Sequence, residues 1–398
     1  MGKSSKDKRD AYYRLAKEQN WRARSAFKLI QIDEQFDLFS YKEPHKCTRV
    51  VDLCAAPGSW SQVLSRTLIK GESFGRRAWV EKMEGLQREM AQLIPSDTTE
   101  HDKVSGLEAG LTRLEVAETP KLQPRPNVRI VAIDLQPMAP LEGIIQLQAD
   151  ITHPSTVSRM LSALNPEKSA HEYELVDLVI SDGAPDVTGL HDLDIHIQSQ
   201  LLYSALTLAI RVLRPGGKFV AKIFRGKDVD LIYAQLKLLF RHVHVAKPRS
   251  SRASSIEAFV VCEDYTPIPD WSPDLGQPLH VPMTQQTKMT DEEIEALPAQ
   301  ERRTLDDGTV ELAFPRREAR QLYQNKRWIA PFLACGDLDS YDADATYRLP
   351  AGHVSLDPVQ PPTAPPYKEA IERRRIEGGM YGKTKSRANK EAQFPEAE

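Results

Sequence analysis

The chain has 398 residues, of which 40% are hydrophobic and 27% charged, with a formal net charge of −3. This composition is typical of a globular protein with a full core, and the absence of any stretch of about 18 apolar residues excludes a transmembrane helix. The four cysteines form no CxxC pair, which argues against a zinc cluster and for reduced thiols in a cytosolic or nuclear compartment.

Positive charge is concentrated in three parts of the sequence. Residues 1–28 hold nine Lys or Arg against three Asp or Glu, and further basic clusters occupy 241–252 and 368–390. We interpret the last cluster as part of a solvated tail. The first two flank the motifs described below, so we expect them to face a polyanion.

The first half of the chain begins like a βαβ unit. Apolar periodicity predicts a helix over 12–36, and a strand over 49–54 runs into a small-residue loop and a helix over 61–68. The next strand, 128–134, follows only after about sixty residues, which is too many for an ordinary loop. Helical spacing of apolar residues predicts an inserted arm over 69–127, which either decorates the surface or docks a partner.

The alternation of strands and helices then continues to residue 262. We predict strands over 144–147, 175–181, 217–224, 242–246 and 256–262, and helices over 157–164, 194–212 and 229–239. This order indicates a mostly parallel sheet covered on both faces, with an antiparallel hairpin at its end. From Asp264 proline is frequent. We expect a helix start at Thr290, an apolar segment over 327–333 that docks on the core, and disorder beyond residue 350.

Charged residues follow or end the predicted strands, where ligands bind in open parallel sheets. Asp134, Asp150 and Asp182 follow the second, third and fourth strands. Lys222 lies inside an apolar strand, where a lysine is costly unless it is paired or loses its proton easily. A desolvated lysine of this kind can act as a base, so Lys222 indicates chemistry.

Several segments together resemble one known family. The segments 52–60 (DLCAAPGSW), 134–138 (DLQPM) and 181–186 (SDGAPD), with the Lys222 strand, resemble the FtsJ family of RNA 2′-O-ribose methyltransferases. Residues 149–152, 182–194 and 336–342 are most similar to the eukaryotic tRNA anticodon-loop enzymes of that family. The resemblance implies a Rossmann-like α/β fold of the class I S-adenosylmethionine-dependent methyltransferases. Its sheet has seven mostly parallel strands ending in an antiparallel hairpin, with helices on both faces.

The resemblance also implies a division of the chain and a cofactor site. Residues 1–265 would form the methyltransferase domain, 266–350 an extension that docks on it, and 351–398 a disordered tail. The cofactor would be S-adenosylmethionine, with no metal. Its methionine end would be lined by Gly58 and Trp60, its ribose and adenine ends held by Asp134 and Asp150, and its sulfonium placed near Asp182.

The family's catalytic tetrad maps onto Lys28, Asp182, Lys222 and Glu257. A ribose 2′-OH must lose its proton as it attacks, and a neutral lysine that accepts it contributes roughly 10² to 10⁴ in rate. Lys28 would lower the pKa of Lys222, whereas Asp182 and Glu257 would raise it, and the sequence leaves the net effect open. The structural alternatives are a surface Lys28, a Glu257 that pairs with Arg252, and a Lys222 that only forms an ion pair.

The resemblance implies methylation of nucleotides 32 and 34 of the tRNA anticodon loop, in the cytoplasm and without membrane contact. Non-catalytic partners, a helical-repeat protein and a WD40-repeat protein, would choose between the two nucleotides. The alternatives are a ribosomal RNA methyltransferase of the same family and a non-catalytic RNA-binding scaffold. A nicotinamide dehydrogenase is disfavoured because GxGxxG is missing.

Overall fold

The structure is a computed structural model. It describes residues 10–93, 123–167, 173–185, 190–226, 229–268, 302–304, 310–312, 331–337, 341–349, 352–354 and 356–359. The helix start expected at Thr290, residues 94–122 of the expected arm and most of the expected tail lie outside the described residues. No helix within these ranges is long and apolar enough to cross a membrane.

A mixed sheet forms the centre of the described part of the protein. Its strands are β1 (Arg49–Leu53), β2 (Arg129–Asp134), β3 (Ile144–Gln148), β4 (Val176–Ser181), β5 (Leu213–Phe224), β6 (Phe240–Pro248), β7 (Glu257–Tyr265) and β10 (Phe332–Cys335). Two short strands, β8 (Arg302–Thr304) and β9 (Val310–Leu312), pair separately. The order across the sheet is β10-β6-β7-β5-β4-β1-β2-β3. Only β7 runs antiparallel to its neighbours, so the predicted, mostly parallel sheet with a terminal hairpin is confirmed.

The seven expected strands are present as β1–β7, and the described sheet has an eighth strand that was not expected. The additional strand β10 pairs in parallel with β6, from Phe332 opposite Val245 to Cys335 opposite Pro248. Cys335 is fully buried there. A four-residue strand leaves too short a pattern to be recognised in sequence, since its stability depends on the neighbour with which it pairs.

Helices cover both faces of the sheet, as predicted. They are α1 (Ala11–Glu18), α2 (Ala26–Phe36), α3 (Ser59–Leu64), α4 (Gly75–Leu93), α5 (Ser155–Leu164), α6 (His191–Val212) and α7 (Val229–Leu239). One apolar core lies between the sheet and α5, α6 and α7, and the other lies between the sheet and α1, α2 and α3. Strand side chains alternate between the two cores: Val220 belongs to the second, and Ala221 and Ile223 belong to the first.

The helix predicted over 12–36 is interrupted, so this prediction is corrected. Helix α1 ends at Glu18, and Asn20 has a φ of 59°, a left-handed conformation that asparagine tolerates better than most residues. The chain then turns, buries Trp21 and restarts as α2 at Ala26. The apolar period continues across the break, which is why the sequence pattern did not reveal it. The turn carries residues 22–25 over the loop that follows β1.

Helix α4 is the longest element in the described part of the inserted arm, which comprises residues 69–93 and 123–127. Its first turns are fixed to α2, because Arg77 forms ion pairs with Asp33 and Asp37, and the backbone N–H of Arg76 donates to Glu34. Trp79 remains 58% exposed on this helix.

Candidate active site

The strand order reverses beside β1, and this point defines the candidate site. Leu53, the last residue of β1, lies opposite Ile133 of β2 on one side and Ser181 of β4 on the other. The loop after β1 and Asp182 after β4 therefore emerge side by side at the carboxyl edge of the sheet. Open parallel sheets bind their ligands at such a reversal.

Lys222 and Asp182 meet because of the register between β4 and β5. Ser181 lies opposite Ala221, so the residues that follow them are neighbours. Nζ of Lys222 donates to the backbone oxygen of Asp182 at 2.7 Å and lies 3.0 Å from its Oδ1. Lys222 is only 7% exposed, so the lysine that the sequence places in an apolar strand belongs to a buried ion pair in the structure.

Glu257 reaches the same edge because its strand runs the opposite way. It is the first residue of β7, and the antiparallel register sets it across from Phe224 at the carboxyl end of β5. Lys28 extends from α2, and its Nζ lies 2.7 Å from Oε1 and 2.8 Å from Oε2 of Glu257. Ser251 donates a third hydrogen bond to Oε1 at 2.6 Å.

These contacts bear on two of the three structural alternatives, those for Glu257 and Lys28. Glu257 pairs with Lys28 and not with Arg252, which binds the buried carboxylate of Asp10. The side chain of Lys28 is only 12% exposed, so it is no ordinary surface lysine. The four residues of the proposed tetrad therefore form two adjoining ion pairs at one edge of the sheet.

The charges also decide the direction of two pKa shifts. Burial alone would raise the pKa of Glu257, but the charges of Lys28 and Lys222 and its hydrogen bonds lower it to about 2. Burial alone would lower the pKa of Lys222, but the carboxylates of Asp182 and Glu257 outweigh burial and raise it above the ordinary lysine value. Lys222 is therefore an ammonium at neutral pH in this structure, and Glu257 is ionised.

The residues expected to bind the cofactor lie along the same edge. Gly58 adopts a φ of 94° in the loop after β1. Asp134 ends β2, and its two oxygens accept hydrogen bonds from the backbone N–H groups of Ala56 and Gln136, both at 2.8 Å. Asp150 is exposed, and its hydrogen bonds from the backbone N–H and hydroxyl of Thr152 lower its pKa.

Trp60 differs from this expectation in one respect. Its side chain is buried, donates to the backbone oxygen of Ser25 at 2.9 Å and packs against Phe259. Any contact with a ligand at this position therefore comes from the main chain of Trp60, and its ring instead fixes the loop to the turn that precedes α2.

The chemistry of this edge fits S-adenosylmethionine. Carboxylates at the ends of β2 and β4 suit the hydroxyl and amino donors of the cofactor. Oδ1 of Asp182 is buried and lies 3.0 Å from the ammonium of Lys222. A carboxylate has further lone pairs, so Asp182 can also accept a hydrogen bond from the amino group of the cofactor. Gly58 has a positive φ and no side chain, so other groups can approach its backbone closely, and the guanidinium of Arg22 does so.

Sequence reasoning missed several residues that hold the site together. Gln198 of α6 donates to the backbone oxygens of Gly183 and Lys222 at 3.1 and 2.8 Å. Its only signal in the sequence is one amide within a mostly apolar helix face. Ser251 lies in a serine-rich loop that gives no reason to prefer it over its neighbours.

Other described features lie away from this edge or add nothing to it. Two cavities of about 270 and 360 Å³ are lined by residues at the amino ends of the strands, among them Lys218 and Arg129. Neither cavity includes a residue of the proposed tetrad. Within the described ranges, no group of three His, Cys, Asp or Glu side chains has the arrangement of a metal site.

Comparison with known proteins identifies the family. The chain is 50% identical over 374 residues to a tRNA (cytidine(32)/guanosine(34)-2′-O)-methyltransferase of Schizosaccharomyces pombe, covering 94% of this chain and 97% of that protein. The human protein of the same name is 42% identical over 94% of this chain and 86% of its own length. An AdoMet-dependent rRNA methyltransferase of Candida albicans is 34% identical, covering 70% of this chain and 25% of that protein.

The model of one protein family, described as FtsJ-like methyltransferase, matches residues 21–265. This range contains the proposed tetrad and every residue expected to bind the cofactor. The methyl donor of the protein is S-adenosylmethionine. The chain belongs to the FtsJ-like methyltransferase family.

Proposed function

We propose that this protein transfers a methyl group from S-adenosylmethionine to the ribose 2′-OH of nucleotides 32 and 34 in the tRNA anticodon loop. The observation that carries the chemistry is the buried contact of Lys222 with Asp182, next to the Lys28–Glu257 ion pair. The choice of tRNA is supported by the relatives with that printed name, which match nearly the whole chain.

We assign the cofactor to the carboxyl edge of β1, β2 and β4. The backbone of Gly58 and Trp60 would face its methionine part, Asp134 and Asp150 its ribose and adenine, and Asp182 its amino group. S-adenosylmethionine supplies an electrophilic methyl group when it is bound. The protein's own contribution is to align the 2′-OH with that group and to remove one proton.

Lys222 is the proposed base, and it can accept a proton only when its amino group is neutral. Because its pKa is raised, Lys222 must first release its own proton. The carboxylate of Asp182 is one cause of the raised pKa, so any positive charge bound beside Asp182 would offset that attraction. A loaded site would thus lower the pKa of Lys222 and prepare it to accept the proton of the 2′-OH.

Lys28 and Glu257 have a supporting role in this proposal. Glu257 contributes to the negative field at Lys222, and Lys28 partly neutralises that field. Because Lys28 reaches both oxygens of Glu257, it acts on Lys222 mainly through Glu257.

The basic residues near the site divide into two groups. Arg24 and Arg252 both form ion pairs with the buried Asp10, which fixes the turn before α2 to the loop between β6 and β7. The second group lies outside these ion pairs and includes Arg14 in α1 and Arg249 just after β6. We propose that these residues contact the phosphates of the anticodon arm.

The remaining expectations are also proposals. A helical-repeat partner and a WD40-repeat partner would select nucleotide 32 or 34, as the resemblance implies. A cytoplasmic location is supported by the four cysteines, all of which are free. The domain boundary at residue 265 is supported by the end of β7 at Tyr265 and by the family match up to that residue, and the boundary at residue 350 is proposed from the sequence alone.

The test is methyl transfer to a tRNA transcript, with 2′-O-methyl groups mapped at single-nucleotide resolution. Lys222→Met should lower the single-turnover rate by about 10² to 10⁴ while S-adenosylhomocysteine still binds. Lys218→Met is the matched control, because this lysine lies in the same strand but binds the backbone oxygens of Phe36 and Asp37 at the other edge. Wild-type transfer by Lys222→Met would disprove the base assignment, and methylation confined to ribosomal RNA would disprove the substrate.

A further inference from the structure

Arg22 joins the two loops that border the proposed cofactor site. Its Nη1 donates to the backbone oxygen of Pro57 at 3.1 Å, and its Nη2 donates to that of Pro140 at 2.9 Å. Its own backbone N–H donates to Gln62 at 2.9 Å. Hydrogen bonds therefore fix both the backbone and the guanidinium of Arg22. The guanidinium lies between the loop after β1 and the loop after β2.

The same guanidinium lies directly against the turn at Gly58. A Cβ atom placed on Gly58 would be 2.7 Å from Nη1 of Arg22, closer than any real contact allows. The neighbours next closest to that position are the side chains of Leu141 and Met138. Arg22 is thus the cation that touches the glycine where the methionine part of the cofactor is assigned.

Arg22 carries a charge that no carboxylate neutralises. Lys222 pairs with Asp182 and Lys28 pairs with Glu257, but Arg22 forms no ion pair with the residues that the structure describes. Burial lowers its pKa, yet a guanidinium remains charged at every physiological pH. Its two hydrogen bonds go to neutral carbonyl groups, and a guanidinium has five N–H donors. A half-buried cation with spare donors favours an anionic ligand.

S-adenosylmethionine has one anionic group, the carboxylate of its methionine part. The acidic side chains at this edge, Asp134, Asp150 and Asp182, suit hydroxyl and amino donors but repel a carboxylate. We propose that Arg22 binds the carboxylate of the cofactor and anchors its methionine end against Gly58. This proposal rests on the assignment of the cofactor to this edge under the proposed function.

The test removes the two partners of the contact separately and together. Calorimetry would measure the affinity of wild type and of Arg22→Met for S-adenosylhomocysteine and for its decarboxylated analogue, which keeps the amino group. For wild type, loss of the carboxylate should weaken binding by about 10- to 100-fold, as expected for a charge-assisted hydrogen bond. In Arg22→Met the two ligands should bind with nearly equal affinity, similar to that of the analogue for wild type.

The following results would overturn the proposal. An equal loss of affinity for both ligands in Arg22→Met would mean that Arg22 only joins the two loops. Weaker tRNA binding with unchanged affinity for S-adenosylhomocysteine would assign the charge to an RNA phosphate. Equal affinity of wild type for the two ligands would exclude a contact with the carboxylate. This comparison needs only the wild-type protein, so it remains possible if Arg22→Met does not fold.

The same experiment separates this proposal from the proposed function. If wild type binds neither ligand, the cofactor assignment itself fails, whatever Arg22 does. If wild type discriminates between the ligands but Arg22→Met and Arg22→Lys discriminate equally well, the cofactor assignment stands and Arg22 is not its carboxylate partner.

Discussion

Lys28 and Glu257 form an ion pair in which one ammonium reaches both carboxylate oxygens, at 2.7 and 2.8 Å, across 229 positions of sequence. The pair ties helix α2 to the first residue of β7. Burial alone would lower the pKa of Lys222, but the carboxylates of Asp182 and Glu257 outweigh it and raise that pKa.

Glu257→Gln should therefore make Lys222 easier to deprotonate. The base must be neutral, so the single-turnover rate rises with pH through the pKa of Lys222. Removal of the negative charge at Glu257 lowers that pKa and moves the rising limb to lower pH. Rates measured from about pH 6 to about pH 10 with saturating ligands would test this.

Glu263→Gln is the control for this shift, because Glu263 pairs with Lys218 at the far edge of the sheet. Its profile should match that of wild type. A rising limb that stays in place or moves to higher pH in Glu257→Gln would show that Glu257 does not stabilise the charged form of Lys222.

Ser251 and Ser250 are adjacent buried serines with different predicted effects. Ser251 donates to Glu257 at 2.6 Å, whereas the hydroxyl of Ser250 has no partner among the described residues. Ser251→Ala should lower kcat by about tenfold, since a hydrogen bond to a charged group is worth about 1.5–3 kcal/mol. KM for the cofactor should be unchanged, and Ser250→Ala should leave kcat at the wild-type level. Equal effects of the two substitutions on kcat would contradict a positioning role for Ser251.

Gly58→Ala should disturb the loop after β1. An added Cβ strains a backbone with a φ of 94° and displaces Arg22, so affinity for S-adenosylhomocysteine should fall by at least about tenfold. Gly85→Ala is the matched substitution, because a Cβ there meets nothing within 4 Å in α4. It should raise stability by about 0.5–1 kcal/mol and leave affinity unchanged. An undiminished affinity in Gly58→Ala would show that this turn does not approach the cofactor.

Asp52 should make stability depend on pH. Burial, opposed by a hydrogen bond from Ser61 and assisted by the charges of Asp182 and Asp134, raises its pKa to about 7. The unfolded chain ionises this group near pH 4, so between about pH 4 and about pH 7 the folded state binds more protons. Stability should therefore fall as pH rises through this window, by at most about 4 kcal/mol, and the loss is complete above it.

Asp52→Asn removes this titration, so chemical denaturation should show a flatter dependence on pH. Asp150→Asn is the control substitution. The pKa of exposed Asp150 is lowered, so its contribution to stability is lost only below about pH 4, and the dependence of stability on pH between about pH 4 and about pH 7 should match that of wild type. An Asp52→Asn variant with the pH dependence of wild type would show that Asp52 is ionised throughout.

The C-terminal extension should hold the loop between β6 and β7. Oδ2 of Asp344 accepts a hydrogen bond from the backbone N–H of Ala253 at 2.5 Å. Asp344→Ala should speed amide exchange at Ala253 by about fivefold, which corresponds to about 1 kcal/mol. The amide of Ser251 bonds to Pro248 within the loop and serves as the internal reference. Unchanged exchange at Ala253 would show that the loop holds its shape without this contact.

The parts of the fold that depend on local pattern were predictable from sequence. Apolar runs and the acidic residues after them located β1, β2 and β4 and the edge at which their ends meet. Lys222 was recognisable because a lysine in an apolar strand conflicts with its surroundings. The structure brings it to Asp182 through the register of two neighbouring strands.

The features that depend on distant partners were not predictable in the same way. The break near Asn20, the strand β10 and the hydrogen bond from Ser251 to Glu257 all require neighbours that the local sequence does not specify. The direction of the pKa shift at Lys222 depends on how closely the carboxylates of Asp182 and Glu257 approach its buried ammonium. Only the folded geometry gives these distances.

The strand β10 has a consequence beyond the active site. It pairs with residues 245–248 of β6, which would otherwise form the outermost strand on that side of the sheet. Unpaired N–H and C=O groups on such a strand are a template for pairing with another chain. A shortened protein that ends at residue 265 would expose this edge and be prone to self-association. By covering β6, the segment 332–335 protects the sheet against edge-to-edge aggregation.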